Sequence, residues 1–346
     1  MKVLSIVVPT YNMEALLPRC LDSFILSEEY MKQIEVLVIN DGSKDKSSEI
    51  AHQYANKYPD SIKVVDKLNG NYGSCINAAL KIARGKYFRI CDADDHYENR
   101  NLEKYISYLS FSDTDIVFSP YQINDFNQNM IERFSCADNL SGKTFCIDDL
   151  DWESNELLKF RAMHCMATKR EILISNNYYQ TEGISYTDTQ FIFYSNLYAK
   201  TCSFYKDIIY IYYLGRDGQT MSKASLVKSY MHFYINAEKM INDYINTESL
   251  LSVNRARLLE LSFVACINYY VTVVLCYLPF QKTNILNLKN LTCLIEKSKR
   301  KKEISSLLYK ERPYCLWKKY HIPAPIINLL YKIRFGILPN SNTNFQ

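Results

Sequence analysis

The sequence predicts an α/β fold: a mostly parallel central sheet with helices on both faces, followed by a helical C-terminal extension. Three observations lead there. Short apolar runs alternate with helical patterns through roughly the first 125 residues, as strands buried on both faces do. A polar, Gly-containing or acidic stretch follows each of the first four runs. From about Lys223 the strand pattern stops and helical periodicity takes over.

Taken in order, residues 4–8 form a short β-branched run and are read as the first strand. Residues 14–24 follow as a helix, 34–39 as a second strand, 44–54 as a second helix and 62–65 as a third strand. Residues 74–83 read as a third helix, 87–91 as a fourth strand, and 115–118 as a further strand after a helix that begins near Asn99. In the second half, GISYTDTQFIFYSNLYAK opens with a turn and continues as an amphipathic helix, with Phe191, Tyr194 and Tyr198 at helical spacing. Residues 203–214 read as a single strand-like run. Residues 261–281 carry no charge. A buried core helix is preferred there over a membrane-inserted one, because Ser262, Asn268, Thr272 and three Tyr dilute the stretch.

Composition narrows the class. Hydrophobic residues make up 48% of the 346 and charged residues 23%, which is ordinary for a globular chain. The 11 Cys are scattered without a CxxC pair, which argues for reduced thiols in the cytosol and against a disulfide framework or a zinc ribbon. The opening MKVLSIVVPTYN is read as a strand and not as a signal peptide. Charge is uneven: from Gln281 onward 13 Lys or Arg face 3 Glu, a net of +10, which leaves −6 for residues 1–280. Such a cationic end calls for an anionic partner, a membrane surface or a nucleic acid.

Ligands of doubly covered sheets sit beyond the carboxyl ends of the strands. There the sequence places Pro9-Thr10-Tyr11-Asn12, then Asn40-Asp41-Gly42-Ser43, then Lys67-Leu68-Asn69-Gly70-Asn71-Tyr72-Gly73, and finally Asp92-Ala93-Asp94-Asp95. Three carboxylates within four positions repel one another unless a cation holds them. Hard oxygen ligands suit Mg²⁺ or Mn²⁺, which bind through one or two carboxylates plus substrate phosphates. A helix cap or a solvated face is the plainer explanation for an isolated acidic run. Asp41 can accept an N–H from a nucleobase edge or close an Asx turn. Tyr11 offers a ring for stacking or for the core, and Lys67 could reach a phosphate or sit solvated in its loop.

LSIVVPTYNMEALLPRCLDSF, IEVLVINDGSKDKS and ARGKYFRICDADD resemble the nucleotide-binding half of the family 2 glycosyltransferases, which have the GT-A fold. The resemblance covers roughly residues 1–125 and implies a nucleotide-sugar donor. On it, Asp41 reads the base, Asp92 lies near the ribose and Asp94 binds the metal, with Pro9, Thr10, Tyr11, Asn12, Lys67, Asn69, Gly73 and Ala93 around the donor. Many members carry Ala-Arg-Asn in the third helix; here Cys75-Ile76-Asn77 stands there, so the arginine is absent. Arg216, in YLGRDGQTMS, could supply that missing cation, or simply sit in a Gly-closed turn. Asp188 matches the catalytic base of the family, although Thr187 replaces the usual acidic neighbour. On its own, an aspartate there is a favourable helix N-terminal charge. His164 and Asp95 fall in the acceptor or metal neighbourhood; between Met residues, His164 also reads as a core histidine. NGNYGSCINAAL is similar to bacterial members that build surface polysaccharides.

The resemblance divides the chain into a GT-A domain, residues 1–222, and a helical basic extension, residues 223–346. Within the domain, residues 1–125 form the nucleotide-sugar half and 126–222 the acceptor and base half. It implies an inverting hexosyl or N-acetylhexosaminyl transfer to a glycan or a lipid-linked acceptor. UDP is favoured over GDP as the nucleotide, though an aspartate at position 41 suits both. In the extension, KSKRKK and YCLWKKYHIPAPIINLLYKIRF interleave cations with Trp317, Tyr320, Ile326, Leu329, Leu330 and Phe335, the composition of a helix lying on an anionic bilayer. The expected partner is therefore the inner face of the cell membrane, with a cytoplasmic, peripheral location and no nucleic acid. A sugar nucleotidyltransferase would open with a G-x-G-T-R loop and a dinucleotide oxidoreductase with G-x-G-x-x-G; neither is present. A non-catalytic nucleotide-sugar-binding subunit is the alternative, and it would tolerate loss of Asp94 or Asp188.

Overall fold

A computed structural model describes residues 2–215 and 222–334. The chain divides into two compact units, residues 1–217 with 252–258, and residues 218–251 with 259–346.

The first unit is built from alternating strands and helices: β1 (Leu4–Thr10), α1 (Leu17–Asp22), β2 (Ile34–Asn40), α2 (Ser47–Lys57), β3 (Ile62–Asp66), α3 (Asn71–Ile82) and β4 (Tyr87–Ile90). After the two-residue β5 (His96–Tyr97) come α4 (Asn99–Phe111), β6 (Ile116–Phe118), β7 (Tyr121–Asp125), β8 (Met130–Arg133), β9 (Thr144–Cys146), β10 (Met166–Lys169), α5 (Asp188–Tyr198), β11 (Thr201–Phe204) and β12 (Tyr210–Leu214). An eight-stranded sheet runs β3-β2-β1-β4-β10-β6-β11-β9, and a four-stranded sheet runs β5-β12-β7-β8.

The expected parallel arrangement holds for β1 to β4; β1, β2 and β4 are buried almost throughout, while the edge strand β3 is largely half-buried. The sheet then turns mixed, because β10 inserts antiparallel between β4 and β6. Register fixes the rim. Thr10 pairs with Asn40 and Asn40 with Asp66, so the loops after β1, β2 and β3 leave at one level, while β4 ends three residues lower, where Ile90 pairs with Val7.

Several boundaries differ from the sequence expectation. The first helix starts at Leu17 and not at 14, with Pro18 in its first turn, where a missing N–H and a fixed φ cost nothing. Residues 203–214 are not one strand. Lys206 and Asp207 interrupt the run, β11 joins β6 in the large sheet, and β12 joins β5 and β7 in the small one.

The second unit contains α6 (Tyr230–Thr247), most of α7 (Val253–Thr272), α8 (Lys282–Lys297), α9 (Lys301–Leu308) and α10 (Ala324–Arg334). Among the described residues, the continuous helix Val253–Tyr277 is long and apolar enough to cross a membrane, yet 67% of its apolar window is buried within the protein. Phe263, Ile267 and Tyr270 are fully enclosed, and Tyr270 donates its hydroxyl to the Asn284 carbonyl at 3.1 Å. Glu260 is buried as well, held by Arg300 Nε at 2.6 Å and by the Tyr244 hydroxyl at 2.8 Å. A buried carboxylate persists only with such partners.

Candidate functional site

The rim begins with the β1 and β2 loops, which are knitted together. The Asn12 amide donates to Ser43 Oγ at 3.0 Å, and Asn12 Oδ1 accepts from the Lys44 amide at 2.8 Å. Asn12 has φ +54°, a left-handed conformation that asparagine tolerates better than most residues. Tyr11 projects, 46% exposed, whereas Thr10 is buried and its carbonyl accepts from the Asp41 amide. Asp41 is itself buried. Its Oδ1 receives Lys67 Nζ at 2.5 Å and the Gly70 amide at 2.9 Å. Lys67 also donates to the Leu68 carbonyl and to Ser74 Oγ, both at 2.7 Å. This lysine is a bound strut of the β3 loop and not a solvated one. Asn69 donates to the Asp41 carbonyl.

The turn after β4 is the acidic one. The Asp95 amide closes it on the Asp92 carbonyl at 3.0 Å, and Arg19 of α1 caps it by donating Nη2 to the Asp94 carbonyl at 2.6 Å. The Arg19 guanidinium stacks 3.9 Å from the centre of the Tyr213 ring. The three carboxylates have different fates. Asp95 faces inward, where Oδ2 takes the Tyr210 hydroxyl at 2.6 Å and Oδ1 the Tyr213 amide at 2.9 Å. Asp95 therefore ties the turn to β12, and burial holds its carboxyl well above the usual range. Asp92 takes the Tyr72 hydroxyl on Oδ1 at 2.8 Å. Burial first, and then the charge of Asp94, push Asp92 up to about 7.

Asp188 reaches the same rim by a different route. It opens α5, and the segment before α5 is fastened to α3. Asn77 donates to the Gln180 carbonyl and receives the Gln180 amide, Gln180 donates to the Thr187 carbonyl at 2.7 Å, and Gln190 receives the Thr181 amide. Gly73 makes the approach possible: a Cβ there would lie 2.1 Å from the Thr181 carbonyl oxygen. Tyr186 stands at φ +60°, a genuine outlier for a bulky residue, two positions before Asp188. Burial raises the Asp188 carboxyl, and its charge is among those that raise Asp92.

Asp92 and Asp94 fit a hard divalent cation. They lie two residues apart in one tight turn, and Asp92 is raised by burial first and then by the charge of Asp94, both of which a cation would offset. No group of three metal-ligating side chains gathers among the described residues. A pair of carboxylates is the donor set that Mg²⁺ or Mn²⁺ complete with substrate phosphates.

Residues 5–175 match the family model described as "Glycosyl transferase family 2". These residues belong to the family 2 glycosyltransferases. A Mycoplasma pneumoniae glycosyltransferase is 37% identical over 95 residues, 27% of this chain and 31% of that protein. The poly(ribitol-phosphate) β-glucosyltransferase of Bacillus spizizenii is 28% identical over 224 residues, 64% of this chain and 34% of that protein. The matched stretches thus span about a third of these relatives' own length. Among solved structures, Staphylococcus aureus TarS 1-349 in complex with UDP-GlcNAc superimposes with a TM-score of 0.64 at 18% identity, covering 97% of this chain and 92% of that one. A mannosyltransferase of Pyrobaculum calidifontis, in complex with GDP-Man and Mn²⁺, gives 0.51 at 17%, covering 94% and 86%. The fold is GT-A.

In this family 2 domain, the structure brings Pro9, Thr10, Tyr11, Asn12, Asp41, Lys67, Asn69, Gly73, Asp92, Ala93 and Asp94 to the β1–β4 edge. Ala93 is buried inside its turn. Gly73 has a packing role at this edge. Arg216 lies outside the described residues. His164 stacks on Tyr212 at 4.7 Å and on Tyr210 at 5.2 Å, and burial pulls it down to about 4, so it is neutral at pH 7. Its Nδ1 is buried without a hydrogen-bond partner.

Three residues of the site escaped the sequence reading. Tyr72 lies in the quoted loop but gives no local sign of its hydroxyl's target. Arg19 sits in an amphipathic helix far from the acidic turn in sequence. Arg89, inside an apolar strand, is fully buried with neutral oxygen partners: Tyr97 OH at 2.7 Å, Tyr105 OH at 3.2 Å and the carbonyls of His164 and Cys165. A charged residue in a buried strand was the available signal.

Proposed function

We propose that this chain is an inverting glycosyltransferase that moves a sugar from a nucleotide sugar, a UDP-sugar, to a hydroxyl of a glycan or lipid-linked acceptor in cell-surface polysaccharide synthesis. One observation carries the reading: the same helix, α3, donates Tyr72 to Asp92 and fastens through Asn77 the segment that leads into Asp188. A base and a nucleotide-side acidic turn thus share one rim. The UDP complexes of TarS and the polymer-glycosylating relative support the donor and acceptor classes.

The nucleobase lies against Asp41, whose Oδ1 is taken by Lys67 and Gly70. Asp92 faces the ribose, oriented by Tyr72. Asp94, with Asp92 beside it, would hold Mn²⁺ or Mg²⁺, which would supply positive charge against the departing diphosphate. Asp188 takes the proton of the acceptor hydroxyl as that oxygen attacks the anomeric carbon from the face opposite the diphosphate. Its raised carboxyl makes it a stronger base than a solvated aspartate.

The protein works at the inner face of the membrane. Supporting this, α10 leaves Ile326, Leu329, Leu330 and Ile333 exposed beside Lys332 and Arg334.

The test is a thermal-shift screen of nucleotide sugars with and without Mn²⁺, since a ligand that binds the folded state raises its stability by mass action. A UDP-sugar should raise the melting temperature in a Mn²⁺-dependent way, and Asp94→Asn should abolish the Mn²⁺ dependence without lowering the melting temperature of the free protein. Unchanged Mn²⁺-dependent stabilisation in Asp94→Asn would remove the metal assignment.

A further inference from the structure

The helical unit holds a concavity of about 510 Å³ lined by Lys301, Lys302, Ser305 and Ser306 of α9, by Tyr309 at its C-terminal cap and by Lys319 further along the chain. Its volume falls within the roughly 300–1,000 Å³ of small-molecule sites. The α9 residues recur at helical spacing, so one helix face presents two ammonium groups, two aliphatic hydroxyls and a phenol to the same space. The π-helical stretch Cys315–Lys319 brings in the third ammonium group.

Charge around the concavity is unbalanced. Glu296 is its single acidic lining residue and meets Lys301 at 3.6 Å. Lys302 and Lys319 have no carboxylate partner among the described residues. Lys301 and Lys302 also stand in the first turn of α9, where the helix dipole disfavours positive charge. All three ammonium groups are exposed, so an anion entering the concavity can reach each of them.

We infer that this concavity binds a phosphate ester, a phosphate carrying a polyol or sugar unit, at a site separate from the donor rim. The ammonium groups supply the charge-assisted contacts that a phosphate takes. The hydroxyls of Ser305, Ser306 and Tyr309 match the hydroxyls of the attached unit, and the volume leaves room for more than a bare phosphate. The site rests on the geometry of this unit alone and not on the transfer reaction proposed above.

Isothermal titration of the full chain with glycerol 3-phosphate tests it, with inorganic phosphate, neutral glycerol and phosphatidylglycerol vesicles as the other arms. Saturable binding of glycerol 3-phosphate that weakens with salt is expected, tighter than inorganic phosphate, with none for glycerol. The triple variant Lys301→Gln/Lys302→Gln/Lys319→Gln should lose about tenfold or more in affinity, since each hydrogen bond to a charged group contributes on the order of 1.5–3 kcal/mol. Its UDP affinity and melting temperature should stay as they were. Lys319→Gln alone, outside α9, gives the same direction if the triple variant fails to fold. Equal affinity for glycerol 3-phosphate in parent and variant overturns the site. Binding that is seen with vesicles but not with glycerol 3-phosphate overturns it too, and assigns these lysines to the membrane surface.

Discussion

Tyr72 donates its hydroxyl to Asp92 Oδ1 at 2.8 Å and lies 3.2 Å from the Met163 sulfur. One phenol thus links the helix after β3, the acidic turn after β4 and the segment before β10. The bond favours the ionised form of Asp92 against the burial and the neighbouring charge that oppose it. It also holds that carboxylate in one orientation.

Tyr72→Phe keeps the ring and removes the donor. A hydrogen bond to a charged group is worth roughly 1.5–3 kcal/mol. Affinity for UDP in the presence of Mn²⁺ should therefore fall by about tenfold or more. Calorimetry reads this directly, and wild-type affinity in the variant would reduce Tyr72 to a packing residue.

Asp188→Asn should retain UDP affinity and lose turnover by roughly the 10²–10⁴-fold of a positioned base. The parent enzyme adds a second signature. Burial raises the Asp188 carboxyl, and the base acts only when deprotonated. The rate should therefore climb with pH on an acid limb lying above the ordinary aspartate range near 3.9. A pH–rate profile at saturating acceptor checks it; turnover that is flat with pH and near normal in Asp188→Asn would exclude this residue.

Gly73→Ala tests how the base is carried to the rim. The new methyl would meet the Thr181 carbonyl oxygen at 2.1 Å, and backbone must move. Overpacking of this kind costs about 1–3 kcal/mol. The expected outcome is a lower melting temperature together with a kcat loss larger than the loss in UDP affinity, because Thr181 leads into Asp188 while Asp41 is untouched. A variant with parental stability and kcat would show that the segment relaxes freely.

Membrane attachment should depend on α10. Anionic vesicles should float the protein at low salt and release much of it at high salt, since each cation near the surface contributes on the order of 1 kcal/mol and salt screens it. Leu329→Asn/Ile333→Asn removes two exposed apolar contacts without touching the charge and should weaken flotation. Retention that only detergent reverses would point instead to insertion of the Val253–Tyr277 helix.

The sequence by itself determined the first four strands, the loops that follow them and the ordered motifs. Those properties are local: β1 and β2 are continuous apolar runs because both faces are covered, and each is followed at once by its polar loop. Asp41 and the Asp92–Asp95 turn could be placed at strand ends from that pattern alone. What each side chain there does was decided by partners far away in sequence. Asp95 became a structural anchor because β12 folds beside it, Lys67 became the partner of Asp41, and Gly73 serves the passage of Thr181. The division of residues 203–214 between two sheets was settled the same way, by pairing with β6 on one side and with β5 and β7 on the other. Periodicity records which face of an element is buried; it holds no record of which distant donor meets a given carboxylate, and on that choice the chemistry of this rim depends.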